Sequence, residues 1–372
     1  MKFLLVGTNP ENTGAATHFV ALAEALVEAG HEVHVVAFPG GLIAQELSRV
    51  GRVLVHGGRF RNAFDLRGYA RVLAVASQAR PDWLIGNFGK EYWPLIALGR
   101  LLRVPVALFR HRTPPMKMLS AWLLPRLAQR FFAVSINARQ AYLDRGIPAN
   151  LVHVLYNPVN LRRCQPDPRR RRAILGDLGI DEEATVLGYA GRMHRGKGVF
   201  TLLEAANAAM IAQPRLHCLW LGDGPDAQAL RAQAAAGPAA SRHHFLGWID
   251  DVHPYYSAMS MLAFPSIAPE TFGRVSVEAQ AAGVPVLGSD IGGIPETMAA
   301  GQTGLLLPPG DVQAWREAIV QLCDATTRQA MGAAARAFVE QRFSTTVIAA
   351  NLVSSLTEAS NGASARRSLR PT

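Results

Sequence analysis

The sequence predicts an α/β protein built from two doubly wound parallel sheets, each of the Rossmann-like kind. Two observations lead to this prediction. Short apolar runs of strand character alternate with segments whose apolar residues recur at helical spacing, and this rhythm occurs in both halves of the chain. In addition, a length of 372 residues is long for one hydrophobic core and favours two domains.

The first half opens with a strand, KFLLVG, followed by a loop and by a helix, HFVALAEALVEAG, that ends at Gly30. The next strand is EVHVVAF, and four further β-rich runs follow it: RVLVHGG, PDWLIGNF, VPVALFRH and RFFAVSI. Because helical segments separate these strands, we expect parallel pairing. The opening MKFLLVG indicates this first strand rather than a signal peptide, since no small-residue cleavage site follows it.

The rhythm stops near residues 157–172, where NPVNLRRCQPDPRRRR contains three prolines and six arginines without periodicity, as is typical of an interdomain linker. Five strands follow: TVLGYAG, LHCLWLG, HHFLGWI, MSMLAFPS and VPVLGSD. We therefore predict an N-terminal domain over 1–160 and a C-terminal domain over 161–343. A helix over 344–358 is expected to return to the first domain, and a disordered basic tail is expected over 359–372.

Composition and charge narrow the class of protein. A hydrophobic fraction of 49% with 18% charged residues excludes a disordered or fibrous chain. Cys164, Cys218 and Cys323 are too few and too far apart for a disulfide framework or a zinc site, which favours a reducing cytoplasm. Residues 1–165 hold 20 Lys and Arg against 9 Asp and Glu, a net charge of +11, whereas the rest of the chain carries −1.

The basic first half indicates an anionic partner: an acidic membrane surface, a phosphorylated glycolipid or nucleic acid. Solvated arginines that reflect a compositional bias would give the same charge.

A glycine-rich turn with three basic residues follows the strand TVLGYAG, in the segment GYAGRMHRGKGVFTLLEAA. Glycines let the backbone approach a ligand, and the N-terminus of the next helix offers unpaired amides. With Arg192 and Lys197, this turn suits a diphosphate. Gly191, Gly196 and Lys197 also fit the start of a P-loop, with Asp223 as its later acidic residue, but Gly198 stands where the P-loop has Ser or Thr. A surface turn with solvated charges is the third interpretation.

Two glutamates, Glu270 and Glu278, flank the start of a helix near residues 272–273. Carboxylates accept hydrogen bonds from vicinal hydroxyls, which suits a sugar or a ribose, and the amides of Phe272, Gly273 and Arg274 suit phosphate oxygens. Alone, the pair is a weak signal, because a solvated helix charge and a capping acid would look the same.

Together the motifs resemble the retaining family-4 glycosyltransferases of GT-B fold. The E-x7-E motif runs from Glu270 to Glu278, and GRMHRGKG holds the basic pair. Further matches are LGDGP at 221–225, FLGWIDDV at 245–252, GVPVLGSDIGGIPE, and an N-terminal glycine loop before a helix that ends in GHEV. The resemblance covers about residues 1–345. One departure is Gly14-Ala15, where the family usually has two glycines.

The resemblance implies two Rossmann-like domains facing across a cleft, and a role for each matched residue. Arg192 and Lys197 would neutralise the donor diphosphate, Glu278 would hold the ribose, and the strand end at 247–251 would border the base. Glu270 would hold the transferred sugar. The implied catalytic residues are Arg192, Lys197, Glu270 and His111, and the implied donor-binding residues are Gly14, Gly191, Gly247, Ile249, Phe272, Gly273, Arg274 and Glu278.

These features predict a retaining hexosyltransferase that uses a UDP-, GDP- or ADP-sugar. No D-x-D pattern lies in a suitable loop, so we expect no metal and no other cofactor. A nucleotide-sugar 2-epimerase of GT-B fold is an alternative enzyme, distinguished by acting on the donor alone. A basic nucleic-acid-binding module is the non-enzymatic alternative. It has only the charge in its favour, and we expect no nucleic-acid partner.

The acceptor is expected to be a glycan or a lipid-linked molecule that meets the first domain. The segment TPPMKMLSAWLLPRLAQRFF mixes Lys117, Arg126 and Arg130 with large apolar residues, which suits contact with an anionic membrane. An amphipathic helix packed on the sheet would have the same composition. We expect a cytoplasmic protein, peripheral on the inner membrane face, in the synthesis of lipopolysaccharide or another surface polysaccharide.

Overall fold

The computed structural model describes residues 1–112 and 116–368, with side chains as far as residue 361. Two units are separated by their internal contacts. The first comprises Met1–Pro158 and the chain from Phe343 onward, and the second comprises Val159–Arg342. The sequence-based boundaries were 160/161 and 343/344.

The first unit contains a seven-stranded parallel sheet in the order β3-β2-β1-β4-β5-β6-β7. Its strands are β1 (Lys2–Gly7), β2 (Glu32–Ala37), β3 (Val53–Gly57), β4 (Trp83–Gly86), β5 (Val106–Arg110), β6 (Arg130–Ala133) and β7 (His153–Val154). Because β1 pairs with both β2 and β4, the strand order reverses at β1/β4. The two-residue β7 was not predicted, since it is too short to show a period.

Six helices connect these strands and cover both faces of the sheet: α1 (Gly14–Glu28), α2 (Leu42–Arg49), α3 (Leu66–Ala79), α4 (Tyr92–Leu102), α5 (Met118–Leu127) and α6 (Ile136–Leu143). One layer of the core contains Phe3, Phe19 and Ile85, and the other contains Leu4, Leu84 and Leu95. Alternate residues of each strand therefore pack on opposite faces, as a sheet buried on both sides requires.

The second unit repeats this plan with six parallel strands in the order β10-β9-β8-β11-β12-β13. They are β8 (Thr185–Ala190), β9 (Leu216–Leu221), β10 (His243–Gly247), β11 (Met261–Phe264), β12 (Val286–Ser289) and β13 (Gly304–Leu307). The order reverses at β8/β11, since β8 pairs with β9 on one side and β11 on the other. The prediction of two doubly wound parallel sheets is confirmed.

The helices of the second unit are α7 (Pro168–Asp177), α8 (Val199–Ala212), α9 (Ala227–Ala235), α10 (His253–Tyr256), α11 (Arg274–Ala281), α12 (Val312–Gln321) and α13 (Ala325–Phe343). The end of the predicted linker is wrong, because α7 begins within it. The side chain of Asp167 accepts hydrogen bonds from the amides of Arg169 and Arg170, and Pro168 occupies the first turn. An acid before a proline is a helix-start signal.

A final helix, α14 (Thr345–Ser368), packs on α1 in the first unit. Ile348, Leu352 and Leu356 recur every four residues and join the core that contains Phe19. The prediction of a disordered tail is wrong for 359–368, because the helix continues through an Ala- and Arg-containing stretch that has no proline. Residues 369–372 lie outside the described residues. Among the described residues, no helix is both long and apolar enough to cross a bilayer.

Candidate functional site

The strand reversal in the second unit brings together two loops that the sequence singled out. Parallel strands end at the same edge of a sheet, and ligands of such folds bind where the order reverses. There, the Lys197 ammonium forms an ion pair with the Glu270 carboxylate. The hydroxyl of Ser266 donates a 2.6 Å hydrogen bond to the same carboxylate oxygen. The structure therefore joins a predicted cation and a predicted acid that are 73 positions apart.

The loop from 191 to 198 is fixed by its neighbours through main-chain contacts. The carbonyl of Gly196 accepts hydrogen bonds from the amides of Ile267 and Ala268, at 3.0 and 3.1 Å. Gly198 has φ +67°, and a Cβ at this position would lie 1.8 Å from the Pro265 carbonyl oxygen. The Ser or Thr that a P-loop requires at this position would not fit, because its Cβ would clash with the backbone. The P-loop alternative is therefore wrong.

The LGDGP motif supports this same loop from below. A Cβ at Gly222 would lie 2.0 Å from the Gly191 carbonyl oxygen, and a Cβ at Gly224 would lie 2.3 Å from that of Met193. The Asp223 carboxylate accepts from the amide of Gly224 within its own turn, at 2.8 Å. The motif therefore gives the loop after β8 a surface that only glycines can provide.

Arg192 occupies an exposed position in this loop, and its carbonyl accepts a 2.9 Å hydrogen bond from the Tyr189 hydroxyl. Its neighbour Arg195 lies 3.7 Å from Asp226 and stacks over the ring of Phe200 at 4.8 Å. Of the basic side chains in the loop, Lys197 is thus the one that reaches Glu270.

Glu270 is held by its backbone as well as its side chain. Its carbonyl accepts from the amide of Gly293 at 2.8 Å. A Cβ at Gly292 would lie 2.5 Å from that carbonyl oxygen, and one at Gly293 would lie 2.4 Å from the carbonyl oxygen of Thr271. The paired glycines in GSDIGGIPE therefore allow close backbone packing against the loop that carries Glu270.

Glu278 lies in the second turn of α11 and is only 6% exposed. Its carboxylate is 2.6 Å from the Arg274 guanidinium and accepts a 3.0 Å hydrogen bond from the Tyr256 hydroxyl. Burial is the largest single influence on the pKa of Glu278 and by itself would raise it. The Arg274 charge, together with smaller contributions from neighbouring groups and from the hydrogen bonds that the carboxylate accepts, outweighs burial and holds the pKa below its usual range. This carboxylate is therefore charged and oriented before any ligand arrives.

The start of α11 is shaped by a buried Phe272 and by Gly273, whose φ of +121° suits glycine. A Cβ at Gly273 would approach the ring of Phe264 to 2.7 Å. Gly247 ends β10, and its carbonyl accepts from the amide of Gly222 at 2.7 Å. The predicted base-bordering residues, Gly247 and Ile249, thus lie in a loop tied to the one after β9.

In the first unit, the loops after β1, β4 and β5 emerge beside one another at the strand reversal. Gly14 is the first residue of α1, which Thr13 caps. His111 directly follows β5, and its Nε2 lies 2.6 Å from the side-chain oxygen Oδ1 of Asn87. The side-chain nitrogen Nδ2 of Asn87 donates a hydrogen bond to the main-chain carbonyl of Ala15 at 2.8 Å.

Glu91 is a further group that the sequence did not indicate. It is fully buried beside Thr8, whose amide and hydroxyl donate to one carboxylate oxygen at 2.5 and 2.8 Å. Burial raises the pKa of Glu91 to about 7, against the opposing effect of these hydrogen bonds. A polar residue at the carboxyl end of a predicted strand is a sequence signal that fits both Asn87 and Ser266. No local pattern in the sequence indicates Glu91.

Across residues 1–112 and 116–368, no three His, Cys, Asp or Glu side chains form a group that could hold a metal ion.

Two known protein families match the parts of the chain that contain the regions just described. Residues 184–325 match the family described as glycosyl transferases group 1, and residues 12–163 match glycosyltransferase family 4. The chain belongs to the group 1, family 4 glycosyltransferases.

Two curated relatives are each 30% identical to this chain over the matched regions. D-inositol 3-phosphate glycosyltransferase of Streptomyces scabiei is 30% identical over 283 residues, which cover 69% of this chain and 62% of that protein. Alpha-maltose-1-phosphate synthase of Mycobacterium tuberculosis is 30% identical over 218 residues, 55% of this chain and 56% of that protein. The matched regions thus span less than two thirds of either relative.

Solved structures agree on the fold. HepE of Anabaena, in complex with UDP, superposes with a TM-score of 0.82 at 23% identity, covering 96% of this chain and all of that one. Sucrose-phosphate synthase of Thermosynechococcus elongatus gives 0.73 at 23% identity, covering 97% and 99%. This glycosyltransferase-family chain has the GT-B fold, as the motif resemblance predicted.

Proposed function

We propose that this protein transfers a hexose-type sugar from a nucleotide-diphosphate sugar to a hydroxyl of a glycan or lipid-linked acceptor, with retention of the anomeric configuration. The observation that carries the proposal is the Lys197–Glu270 pair at the strand reversal of the second unit. A cation suited to a diphosphate and an acid suited to sugar hydroxyls already meet there, in a family of glycosyltransferases.

In this proposal the donor exchanges the internal ion pair for its own contacts. Lys197 turns from Glu270 to the diphosphate, joined by the exposed Arg192, while Ser266 keeps the Glu270 carboxylate in place to accept from sugar hydroxyls. Glu278, already charged against Arg274, accepts from the ribose hydroxyls. The roles that the family resemblance implies for Gly14 and His111 belong to the same proposal.

The chemistry we propose is mainly electrostatic. The sugar–phosphate bond breaks heterolytically, the ring carbon acquires oxocarbenium character, and the bonding electrons leave with the diphosphate. A phosphate oxygen takes the proton of the acceptor hydroxyl, whose oxygen bonds to the same face of the sugar. Preorganised charges of this kind are worth about 2.7–4 kcal/mol each. Because two cations would neutralise the leaving group, we propose that no metal is needed.

Donor identity is tested by thermal stabilisation with a panel of UDP-, GDP- and ADP-sugars. A ligand at 100 times its dissociation constant adds about 2.7 kcal/mol to stability. We expect one nucleotide series to stabilise the wild type and Arg195→Met, and to lose its effect on Lys197→Met. Arg195→Met is the matched control, because it removes a cation from the same loop whose side chain lies against Asp226 and Phe200.

Reaction class is tested with the stabilising donor, with and without a chelator. Transfer to an acceptor with the donor's anomeric configuration, unaffected by chelation, is the expected result. Clean inversion would refute the retaining mechanism, and epimerised nucleotide-sugar formed from donor alone would replace transfer by 2-epimerisation. Absence of stabilisation by every nucleotide-sugar, with salt-dependent DNA binding instead, would refute the enzyme assignment.

We also propose peripheral contact with an anionic membrane, in surface-polysaccharide or lipopolysaccharide synthesis at the cytoplasmic face. Helix α5 exposes Met118, Leu119 and Trp122 by 75, 67 and 48%. Lys117 precedes them, and Arg126 lies 4.1 Å over the Trp122 ring. Exposed apolar side chains beside cations suit an anionic lipid surface. Residues 113–115 of the predicted segment lie outside the described residues.

Vesicles that contain phosphatidylglycerol should bind the protein at low salt, while neutral vesicles should not. Trp122→Ser should reduce this binding, whereas Trp248→Ser, which removes an exposed tryptophan of the second unit, should leave it unchanged. Equal binding of both variants, or none by the wild type, would remove the membrane from the proposal.

A further inference from the structure

One buried side chain in the first unit forms hydrogen bonds both with His111 and with Ala15, the residue that follows Gly14. Asn87 follows β4, the strand between β1 and β5, and is only 3% exposed. Its amide nitrogen donates to the Ala15 carbonyl at 2.8 Å, and its carbonyl oxygen lies 2.6 Å from His111 Nε2. The connection spans 72 residues of sequence on one side and 24 on the other.

These contacts determine which way the Asn87 amide points. A main-chain carbonyl only accepts hydrogen bonds, so the NH2 group must face Ala15. The Asn87 oxygen therefore faces His111, and Nε2 must carry a hydrogen to donate. The neutral imidazole is consequently held in the Nε2–H tautomer.

The imidazole is also packed against the helix that begins at Gly14. The ring of His111 meets that of His18, in α1, edge-on at 4.4 Å between centroids. The loop before α1 is held at its other end as well, since Thr8 donates to Glu91 and the Lys90 ammonium donates to the Thr8 carbonyl at 2.8 Å. The segment from 87 to 91 thus holds both ends of that loop.

We propose that Asn87 is a positioning residue that sets the imidazole of His111 and the first turn of α1 in one fixed arrangement. The inference rests on the proposed glycosyltransferase function. It also gives a physical account of Ala15, where the family usually has a second glycine. The carbonyl of that residue is anchored by Asn87, so the path of the backbone is set by this hydrogen bond rather than by a second glycine.

The first test is Asn87→Leu, which keeps the approximate size and removes both hydrogen bonds. We expect kcat to fall about 10- to 100-fold with KM changed less than threefold, because small misplacements of reacting groups cost this much. The matched control is Asn207→Leu. Asn207 makes the same kind of contact in the second unit, 3.0 Å from His243 Nε2, away from the candidate site. It should lower the unfolding midpoint but leave kcat unchanged.

The second readout is the tautomer of His111, observed by NMR in protein with 15N-labelled histidine and assigned by comparison with His111→Gln. The wild type should show a single Nε2–H tautomer, and Asn87→Leu should show a mixture. Asn87→Asp keeps an acceptor for His111 but places an oxygen against the Ala15 carbonyl. It should therefore retain the tautomer while lowering kcat, and it remains informative if the leucine variant does not fold.

The proposal is overturned if folded Asn87→Leu retains the kcat of the wild type, or if its His111 keeps the single tautomer. It is equally overturned if Asn87→Leu and His111→Gln lower kcat by independent factors in the double variant. Failure of the wild type to transfer sugar from any donor would instead refute the proposed function, while the NMR signals would still report whether Asn87 fixes His111.

Discussion

Replacing Glu91 by glutamine should change how the stability of the protein depends on pH. The carboxyl is fully buried, and its pKa is about 7, compared with an ordinary value of 4.5. Folding therefore favours the protonated form, and the unfolded chain releases this proton first as the pH rises. Stability contributed by the neutral acid is complete below pH 4.5 and is lost as the pH rises through 7.

The size of the effect follows from the difference between the two pKa values. The difference between a pKa of about 7 in the folded protein and 4.5 in the unfolded chain corresponds to about 3.4 kcal/mol of unfolding free energy in full. Between pH 5 and pH 8 the part that develops is about 2.5 kcal/mol. Glutamine resembles the neutral acid, since its carbonyl oxygen can still accept from the amide and hydroxyl of Thr8. The Glu91→Gln variant should therefore lack this loss.

The assay is urea unfolding of wild type and Glu91→Gln at pH 5, 6, 7 and 8, at constant ionic strength. Other titrating groups cancel in the difference between the two proteins. That difference should change by about 2.5 kcal/mol in favour of the variant on going to pH 8. Glu11→Gln, an exposed carboxylate of the same unit, is the control and should show a flat difference. A flat difference for Glu91→Gln would refute the reasoning.

Three further predictions concern the second unit. Gly198→Ala should lower the free energy of unfolding by at least about 2 kcal/mol, because the added Cβ clashes with the backbone at a left-handed position. Gly301 is also left-handed but has open space around it, so Gly301→Ala should lower the same free energy by only about 1 kcal/mol. Equal losses for the two variants in urea unfolding would contradict this prediction. Glu278→Gln should lower the free energy of unfolding by about 3 kcal/mol, since Arg274 loses its buried counter-charge. The same variant should bind nucleotide more weakly in calorimetry. Wild-type stability together with wild-type nucleotide affinity would contradict the proposed role of Glu278. Arg192→Met should reduce kcat about 100- to 1000-fold while stability changes by less than about 0.5 kcal/mol, because the side chain is exposed; an unchanged kcat would remove it from the site.

The repeating strands and the loops of the candidate site in the second unit could be predicted because their signals are local. Apolar runs such as KFLLVG and LHCLWLG show their period within a few residues, and the glycines of GRMHRGKG mark a turn before a helix. β13 was missed because GLLL is four residues long and shows no alternation. Helices α12 and α13 were not predicted, although the sequence carries a start signal for α12 in Asp311, whose side chain caps the helix.

The contacts that position the site could not be predicted, because they join distant parts of the chain. Asn87 meets Ala15 across 72 residues, and Glu91 meets Thr8 across 83. Burial, which raises the pKa of Glu91, is a property of the folded unit and leaves no local pattern. The family motifs indicated that Gly292 and Gly293 mattered, but only the folded chain gives the reason, which is close approach to the backbone of residues 270–271.

The shared carbonyl of Gly196 has a consequence for engineering this protein. Since it accepts from both Ile267 and Ala268, and Gly293 in turn donates to Glu270, three stretches of chain far apart in sequence form one inseparable piece. A graft that imports the basic turn from a homologue, without the acidic loop and its glycine partner, would place mismatched backbones at the candidate site. Specificity should therefore be exchanged between family members as a three-segment cassette, never one loop at a time.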